Sequence, residues 1–172
     1  MKVILTMAMS VNGMIADENG REDFLAHENW LAFIKLANKV GNFIYGRKTY
    51  EAVSEWPPNY LKDLNNVTKI VISQDESLNV QKGFVRVENP KQAILYLEKS
   101  GFDEVLVAGG STVYSSFLKE GLASEIIVYA NPIVLGSGKP IFNLDIQEIK
   151  LDLLGKTEIG NGIIELCYKV LK

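Results

Sequence analysis

The feature that most constrains this chain is a regular change in the spacing of its apolar residues. Short runs rich in β-branched residues, which are typical of buried strands, occur at 3–7, 42–46, 68–73, 104–110 and 125–130. The segments between them have helical spacing, and the first is a stripe of apolar residues at i, i+4, i+7 and i+11: Ala26, Trp30, Phe33 and Ala37.

Further helices are predicted at about 48–54, after Pro90 and after Gly110. Strands that alternate with helices predict βαβ crossovers, and therefore a mainly parallel sheet with helices on both faces. The last third changes character, because strand-like segments at about 148–157 and 161–170 are separated by turn residues around Asn161. We therefore predict a three-layer α/β/α fold with a C-terminal antiparallel hairpin, and one domain over residues 1–172.

Composition excludes several classes of protein. An apolar content of 47% excludes intrinsic disorder, and a net charge of −3 with only three arginines argues against a nucleic-acid partner. No apolar run is long enough to span a membrane, and the apolar start is too short for a signal peptide. One cysteine (Cys167) and one histidine (His27) argue against an internal disulfide and a metal site. We expect a cytoplasmic protein without a membrane partner.

The first candidate site follows the second apolar run. Gly46 ends the predicted strand and lets a ligand approach the backbone, while the new helix offers free amides. Arg47 and Lys48 add positive charge, and the Thr49 hydroxyl can donate to an anion. We favour an anion site over the alternative, an ordinary turn with solvated cations.

The second candidate site is a pair of glycines, Gly109 and Gly110, between an apolar strand and a helix. This pattern suggests close approach of a pyrophosphate, with Ser111 and Thr112 as hydroxyl donors, although a Gly-Gly pair also occurs in plain turns. A dinucleotide would use both sites at once. Ser73, at the end of the next strand, could hold an adenosine ribose or its 2′-phosphate, and a plain turn is the alternative.

Five motifs in this order resemble the dihydrofolate reductase-like superfamily, and in particular its RibD C-terminal-like branch of bacterial riboflavin biosynthesis. They are AMSVNGMIA at 8–16, YGRKTYE at 45–51, KIVIS at 69–73, VAGGSTVYSSFL at 107–118 and NPIVLGSGKPIF at 131–142. The resemblance implies an NADPH-dependent reductase, with a small unsaturated heterocycle or an open-chain sugar as the substrate.

The resemblance also implies residue roles. Ala8 and Ile15 would flank the nicotinamide, and Arg47, Lys48 and Thr49 would hold phosphates. Arg47 would lie nearest the 2′-phosphate, together with Ser73. Tyr114 would border the nicotinamide ribose. The turn before it would supply amides to the pyrophosphate, and its residues are Gly109, Gly110, Ser111, Thr112 and Val113.

The chain departs from the family pattern on the substrate side. Dihydrofolate reductases carry a buried acid on the first helix, and its expected place is Trp30, which argues against folate reduction. Riboflavin-type reductases have an aspartate where Asn12 stands, and an arginine in the first helix that is absent here. Asn12 and Glu28 are the candidate substrate residues, and no catalytic residue can be assigned.

Two alternatives to a riboflavin-type reductase stay open, a genuine dihydrofolate reductase and a nucleotide-binding module without catalysis. We also expect a homodimer, because the apolar stretch at 126–136 could supply an interface. Trp56, Pro57 and Pro58 are predicted to end the second helix and to cover the pocket.

Overall fold

The computed structural model describes residues 1–57, 59–143 and 145–171, so Pro58 lies outside the described residues. The helices are α1 (His27–Val40), α2 (Arg47–Ser54), α3 (Pro90–Lys99) and α4 (Ser111–Lys119). The strands are β1 (Lys2–Ser10), β2 (Met14–Ala16), β3 (Asn42–Gly46), β4 (Thr68–Ile72), β5 (Phe84–Val87), β6 (Glu104–Val107), β7 (Glu125–Asn131), β8 (Lys139–Pro140), β9 (Leu151–Gly160) and β10 (Ile163–Val170).

The central sheet has eight strands in the order β5-β4-β3-β6-β1-β7-β10-β9. The six strands from β5 to β7 are parallel, whereas β10 pairs antiparallel with β7 and β9 antiparallel with β10. The predicted parallel sheet with a C-terminal hairpin is confirmed. The structure adds the edge strand β5 and a small antiparallel pair, β2 with β8, neither of which the spacing of apolar residues indicated.

Two apolar cores lie on opposite faces of the sheet, as the three-layer prediction requires. α1 and α2 cover one core, which contains Ala37, Phe43 and Val53, and α3 and α4 cover the other, which contains Leu97 and Phe117. In the part of the chain that the structure describes, no helix is both long and apolar enough to cross a membrane.

The stretch at 126–136, which we expected to supply a dimer interface, is divided in the structure. Its first part forms β7, which pairs with β1 on one side and β10 on the other, and Ile126 and Val128 are buried. This part is apolar because it is an inner strand with both faces covered. The exposed part begins after β7 and includes Ile133 and Val134, so the interface itself stays a prediction.

Local signals explain where α1 and α3 end and begin. The Asn89 side chain accepts a hydrogen bond from the Gln92 amide at 3.0 Å and caps α3, with Pro90 as its first residue. Gly41 ends α1 at φ +81°, and a Cβ there would stand 2.9 Å from the Phe102 ring. Because β3 begins at once after Gly41, α1 runs from the carboxyl edge of the sheet back to its amino edge.

Candidate active site at the carboxyl edge of the sheet

The two glycine-containing turns predicted from the sequence meet at the carboxyl edge of the sheet. We call them the first elbow (46–49) and the second elbow (108–113). The Gly46 amide donates to the Gly109 carbonyl at 2.6 Å, and the Ala108 amide to the Ile44 carbonyl at 2.9 Å. Because β3 and β6 are neighbours, the starts of α2 and α4 lie side by side.

Packing leaves little room for side chains at these glycines. A Cβ on Gly46 would stand 2.6 Å from Cγ2 of Val113, and one on Gly110 would stand 3.1 Å from the Thr49 hydroxyl oxygen. Gly109 has φ +138°, a conformation that other residues rarely adopt. Neither α2 nor α4 has a side-chain cap, so their first amides are available to an anion.

The predicted hydroxyl and phenol groups have partners of their own. The Ser111 hydroxyl donates to the Pro140 carbonyl of β8, which ties β8 to the start of α4, whereas Thr112 is exposed. Tyr114 is buried, and its hydroxyl donates to the Thr6 carbonyl at 2.7 Å.

The predicted 2′-phosphate residues also lie together. Ser73 is buried after β4, and Arg86 of β5 donates from Nη1 to the Ser73 carbonyl at 3.0 Å. Arg47 lies 3.5 Å from Glu51 and 3.9 Å from Asp75, so two carboxylates already neighbour it. Hydrogen bonds from Ser77 lower the pKa of Asp75, and the charges of Arg47 and Arg86 add to that effect.

A shallow cavity of about 290 Å³ adjoins this cluster. It is lined by Gln74, Glu76, Glu88 and Asn89, between the ends of β4 and β5. Arg86 was not among the predicted residues, because its place beside Ser73 depends on the pairing of β4 with β5.

The residues predicted to border the nicotinamide and the substrate lie farther apart than the predicted phosphate-binding residues. Ala8 lies near the end of β1 opposite Tyr129 of β7, and Ile15 lies on β2. The Asn12 amide group bonds the Leu135 backbone, donating at 2.7 Å and accepting at 3.1 Å. Glu28 lies beside the β9–β10 turn, and its own backbone amide and then Asn161 lower its carboxyl pKa through hydrogen bonds.

Glu22, in the loop before α1, has a shifted carboxyl pKa that the sequence did not reveal. Its side chain stays open to water, yet the surrounding protein raises the pKa of its carboxyl, and the charge of Lys139 partly offsets this. Burial raises the pKa of Tyr45, Tyr60 and Tyr114, and the Glu22 charge raises each further.

The three tyrosines lie on different elements: Tyr45 precedes the first elbow, Tyr114 lies in the first turn of α4, and Tyr60 follows α2. Lys139 of β8 lies beside Gly20, with its ammonium 2.5 Å from where a Cβ on Gly20 would stand.

The start of α1 forms the opposite wall of the cleft. Trp30 contacts Tyr60, with ring centroids 4.4 Å apart, and Trp56 lies 4.5 Å from Tyr60 and 6.1 Å from Trp30, so the three rings form one cluster. Asn29, the residue before Trp30, is the buried polar side chain of this turn. The buried polar side chain at the start of α1 is thus an amide and not a carboxyl.

The sequence argues against a metal site, and the side chains that could form one are those of His, Cys, Asp and Glu. Within residues 1–57, 59–143 and 145–171, the structure brings no three of them together as a metal site.

Comparison with known proteins identifies the class and then the family. Among solved structures, dihydrofolate reductase from Enterococcus faecalis complexed with NADP(H) and RAB-propyl has a TM-score of 0.74 at 16% identity, covering 99% of this chain and 97% of that one. RibD from Acinetobacter baumannii has a TM-score of 0.80 at 21% identity, covering 99% of this chain and 58% of RibD. The fold is therefore of the dihydrofolate reductase-like class.

The chain belongs to the RibD C-terminal domain family, whose sequence model matches residues 1–165. YwjB from Bacillus subtilis (strain 168) is 30% identical over 165 residues, which cover 94% of this chain and 94% of YwjB. The resemblance found in the sequence is confirmed, and the family supports a RibD-like reductase at the family level.

Proposed function

We propose that this protein is a cytoplasmic NADPH-dependent reductase that acts on a small heterocyclic or ribosylamino-pyrimidine-type substrate. The observation that carries the proposal is the meeting of two uncapped helix starts at the carboxyl edge of the sheet, where glycines let the two turns pack closely together. Two anion sites at the ends of neighbouring strands suit the bridging pyrophosphate of a dinucleotide.

The residues present fit NADPH. The first amides of α2 and α4 would hold the pyrophosphate, and Arg47, Arg86 and the Ser73 region would hold the 2′-phosphate. Ala8 and Ile15 would border the nicotinamide. NADPH, when bound, supplies the hydride, and the protein orients the substrate and excludes water.

Reduction also needs a proton, and we propose that water in the site supplies it.

The test is calorimetry with NADPH and NADH, followed by an assay of NADPH consumption with dihydrofolate and with a ribosylamino-pyrimidine. We expect NADPH to bind and to raise the melting temperature, and the pyrimidine to be reduced. No heat and no thermal shift with either coenzyme would reject the reductase proposal. Binding without consumption would favour a nucleotide-binding module, and rapid turnover of dihydrofolate would favour the folate enzyme.

We also propose that the protein is a homodimer. With β7 excluded, the suitable surface is the edge strand β9, where Leu151, Leu153 and Leu154 are exposed beside unpaired backbone groups. Light scattering at micromolar concentration should give twice the monomer mass, and a monomer mass would reject the proposal.

A further inference from the structure

A small cavity lies beside the end of α2, between this helix, the loop that follows it and the start of β5. Its volume is about 110 Å³, and its apolar walls are the side chains of Val53, Trp56, Tyr60, Leu61 and Phe84. An apolar cavity of about 150 Å³ holds benzene. The cavity beside α2 therefore has room for a ligand no larger than a single six-membered ring.

The cavity is separate from the two elbows. Phe84 is the first residue of β5 and pairs with Lys69, near the start of β4, so the cavity lies toward the amino ends of these parallel strands. The first elbow is at the first turn of α2 and the cavity is at its last turn, about 10 Å away along the helix. Of the aromatic cluster at the α1 wall, Trp56 and Tyr60 line the cavity and Trp30 does not.

Two polar side chains decide the chemistry of a ligand in this cavity. The Ser54 hydroxyl donates to the Tyr50 carbonyl at 2.7 Å, so its oxygen is left as an acceptor. Gln81 is exposed at the open side, and its backbone amide donates to the Tyr50 hydroxyl at 2.9 Å, which holds this loop against α2. The side chains that line the cavity carry no formal charge. A ligand that fits is therefore neutral and has a donor for Ser54.

We infer that this cavity binds a neutral single-ring aromatic compound that carries a hydroxyl or an N–H group. The ring packs against Trp56, Tyr60 and Phe84, whose faces and edges suit aromatic contact. The donor of the ligand faces the Ser54 oxygen. This site does not depend on the proposed function, because NADPH would bind at the carboxyl edge of the sheet.

The test adds phenol to the full chain, with and without NADP⁺, and follows the Trp56 indole and Gln81 side-chain resonances in ¹⁵N-labelled protein. Phenol is uncharged at pH 7, as the tyrosine side chain is, whereas benzoate has the same ring with a negative charge. We expect phenol to move these resonances with a dissociation constant of about 1–10 mM. Benzoate should bind at least about tenfold more weakly, because its charge would lose water, and the Gly110 amide of the second elbow should not move with phenol.

A pair of serine variants tests the hydrogen bond. Ser54→Ala removes the acceptor and should weaken phenol binding about threefold to tenfold. Ser100→Ala is the matched control, because the Ser100 hydroxyl donates to the Tyr96 carbonyl at 2.8 Å in the same way at the end of α3. The control should leave phenol binding unchanged.

The native protein decides the inference even where a variant does not fold. Unmoved Trp56 and Gln81 resonances, equal binding of phenol and benzoate, or equal effects of the two serine variants would overturn it. Failure of NADP⁺ to move the Gly110 amide would count against the proposed function and not against this site, because phenol binding is also measured without the nucleotide.

Discussion

The two walls of the cleft are built in different ways. The wall formed by the elbows consists of backbone amides and glycines, and its parts are close in sequence within each elbow. The wall formed by the start of α1 and the loop before it consists of side chains, among them Glu22 and Trp30, whose positions depend on packing against other elements.

This difference decides what each wall can recognise. Backbone amides at helix starts suit the phosphates of any nucleotide, so the elbow wall fits a cofactor shared across a family. Side chains set donors, acceptors and apolar contact one by one, so the α1 wall fits a particular substrate. Substitutions in the two walls should therefore have different consequences.

The largest effect is expected from Gly109→Ala in the elbow wall. Its φ of +138° would strain any other residue, and the new Cβ would stand 3.3 Å from the Thr49 side chain. We expect the free energy of unfolding to fall by about 1–3 kcal/mol and NADPH to bind at least about thirtyfold more weakly. Denaturant titration and calorimetry measure both. Gly136→Ala, where a Cβ meets nothing within 4 Å, should be neutral.

The next effect is expected from Arg47→Ala. The variant loses a charged contact to the 2′-phosphate, so NADPH should bind about tenfold to thirtyfold more weakly while NADH changes little. Arg21→Ala is the matched control on the α1 side, where Arg21 pairs with Asp17 at 2.9 Å. Equal weakening of both coenzymes would show that Arg47 does not read the 2′-phosphate.

A smaller effect of opposite sign is expected from Asp75→Asn. Asp75 lies 3.9 Å from Arg47 and competes with an incoming phosphate for it. NADPH affinity should rise by up to about fivefold, the range of an exposed ion pair, with no change for NADH. Asp152→Asn on the distant strand β9 makes the same change in net charge and should have no effect. A loss of NADH affinity would mean that Asp75 binds a ribose hydroxyl instead.

The smallest effect is expected in the stability of Glu22→Gln. A raised carboxyl pKa means that the native state holds the proton longer than the unfolded state, so stability is lost as pH rises above the ordinary glutamate value. The variant avoids this loss. Because the carboxyl is partly open to water, we expect a melting temperature only about 1–2 °C above the native value at pH 8 and no difference near pH 4. A difference independent of pH would argue against a raised pKa, and NADPH binding should not change.

Much of the fold could be predicted because its signals are local. β3 was predicted at 42–46 and observed at Asn42–Gly46, and α3 starts at Pro90 behind the Asn89 cap. The strand predicted at 104–110 is too long: β6 ends at Val107, and the glycines that follow belong to the second elbow. The sequence could not show which part of the stretch at 126–136 is buried within the chain, because an apolar inner strand and an apolar interface have the same composition.

The candidate site likewise has parts that depend on local sequence and parts that depend on distant residues. A glycine followed by a helix start is visible in sequence, since both depend on neighbouring residues and the backbone itself supplies the ligand groups. Two further features bring together residues far apart in the chain, and the sequence did not show them. They are the joining of the two elbows and the contact of Arg86 with Ser73.

The sequence by itself determined the family, the parallel sheet and the two glycine elbows. Only the tertiary structure decided that Asn29 is buried at the start of α1 while Trp30 packs half-buried against Tyr60 at the edge of the core, because successive residues of a helix point about 100° apart. A shift of one residue therefore exchanges a hydrogen-bond donor for an aromatic wall.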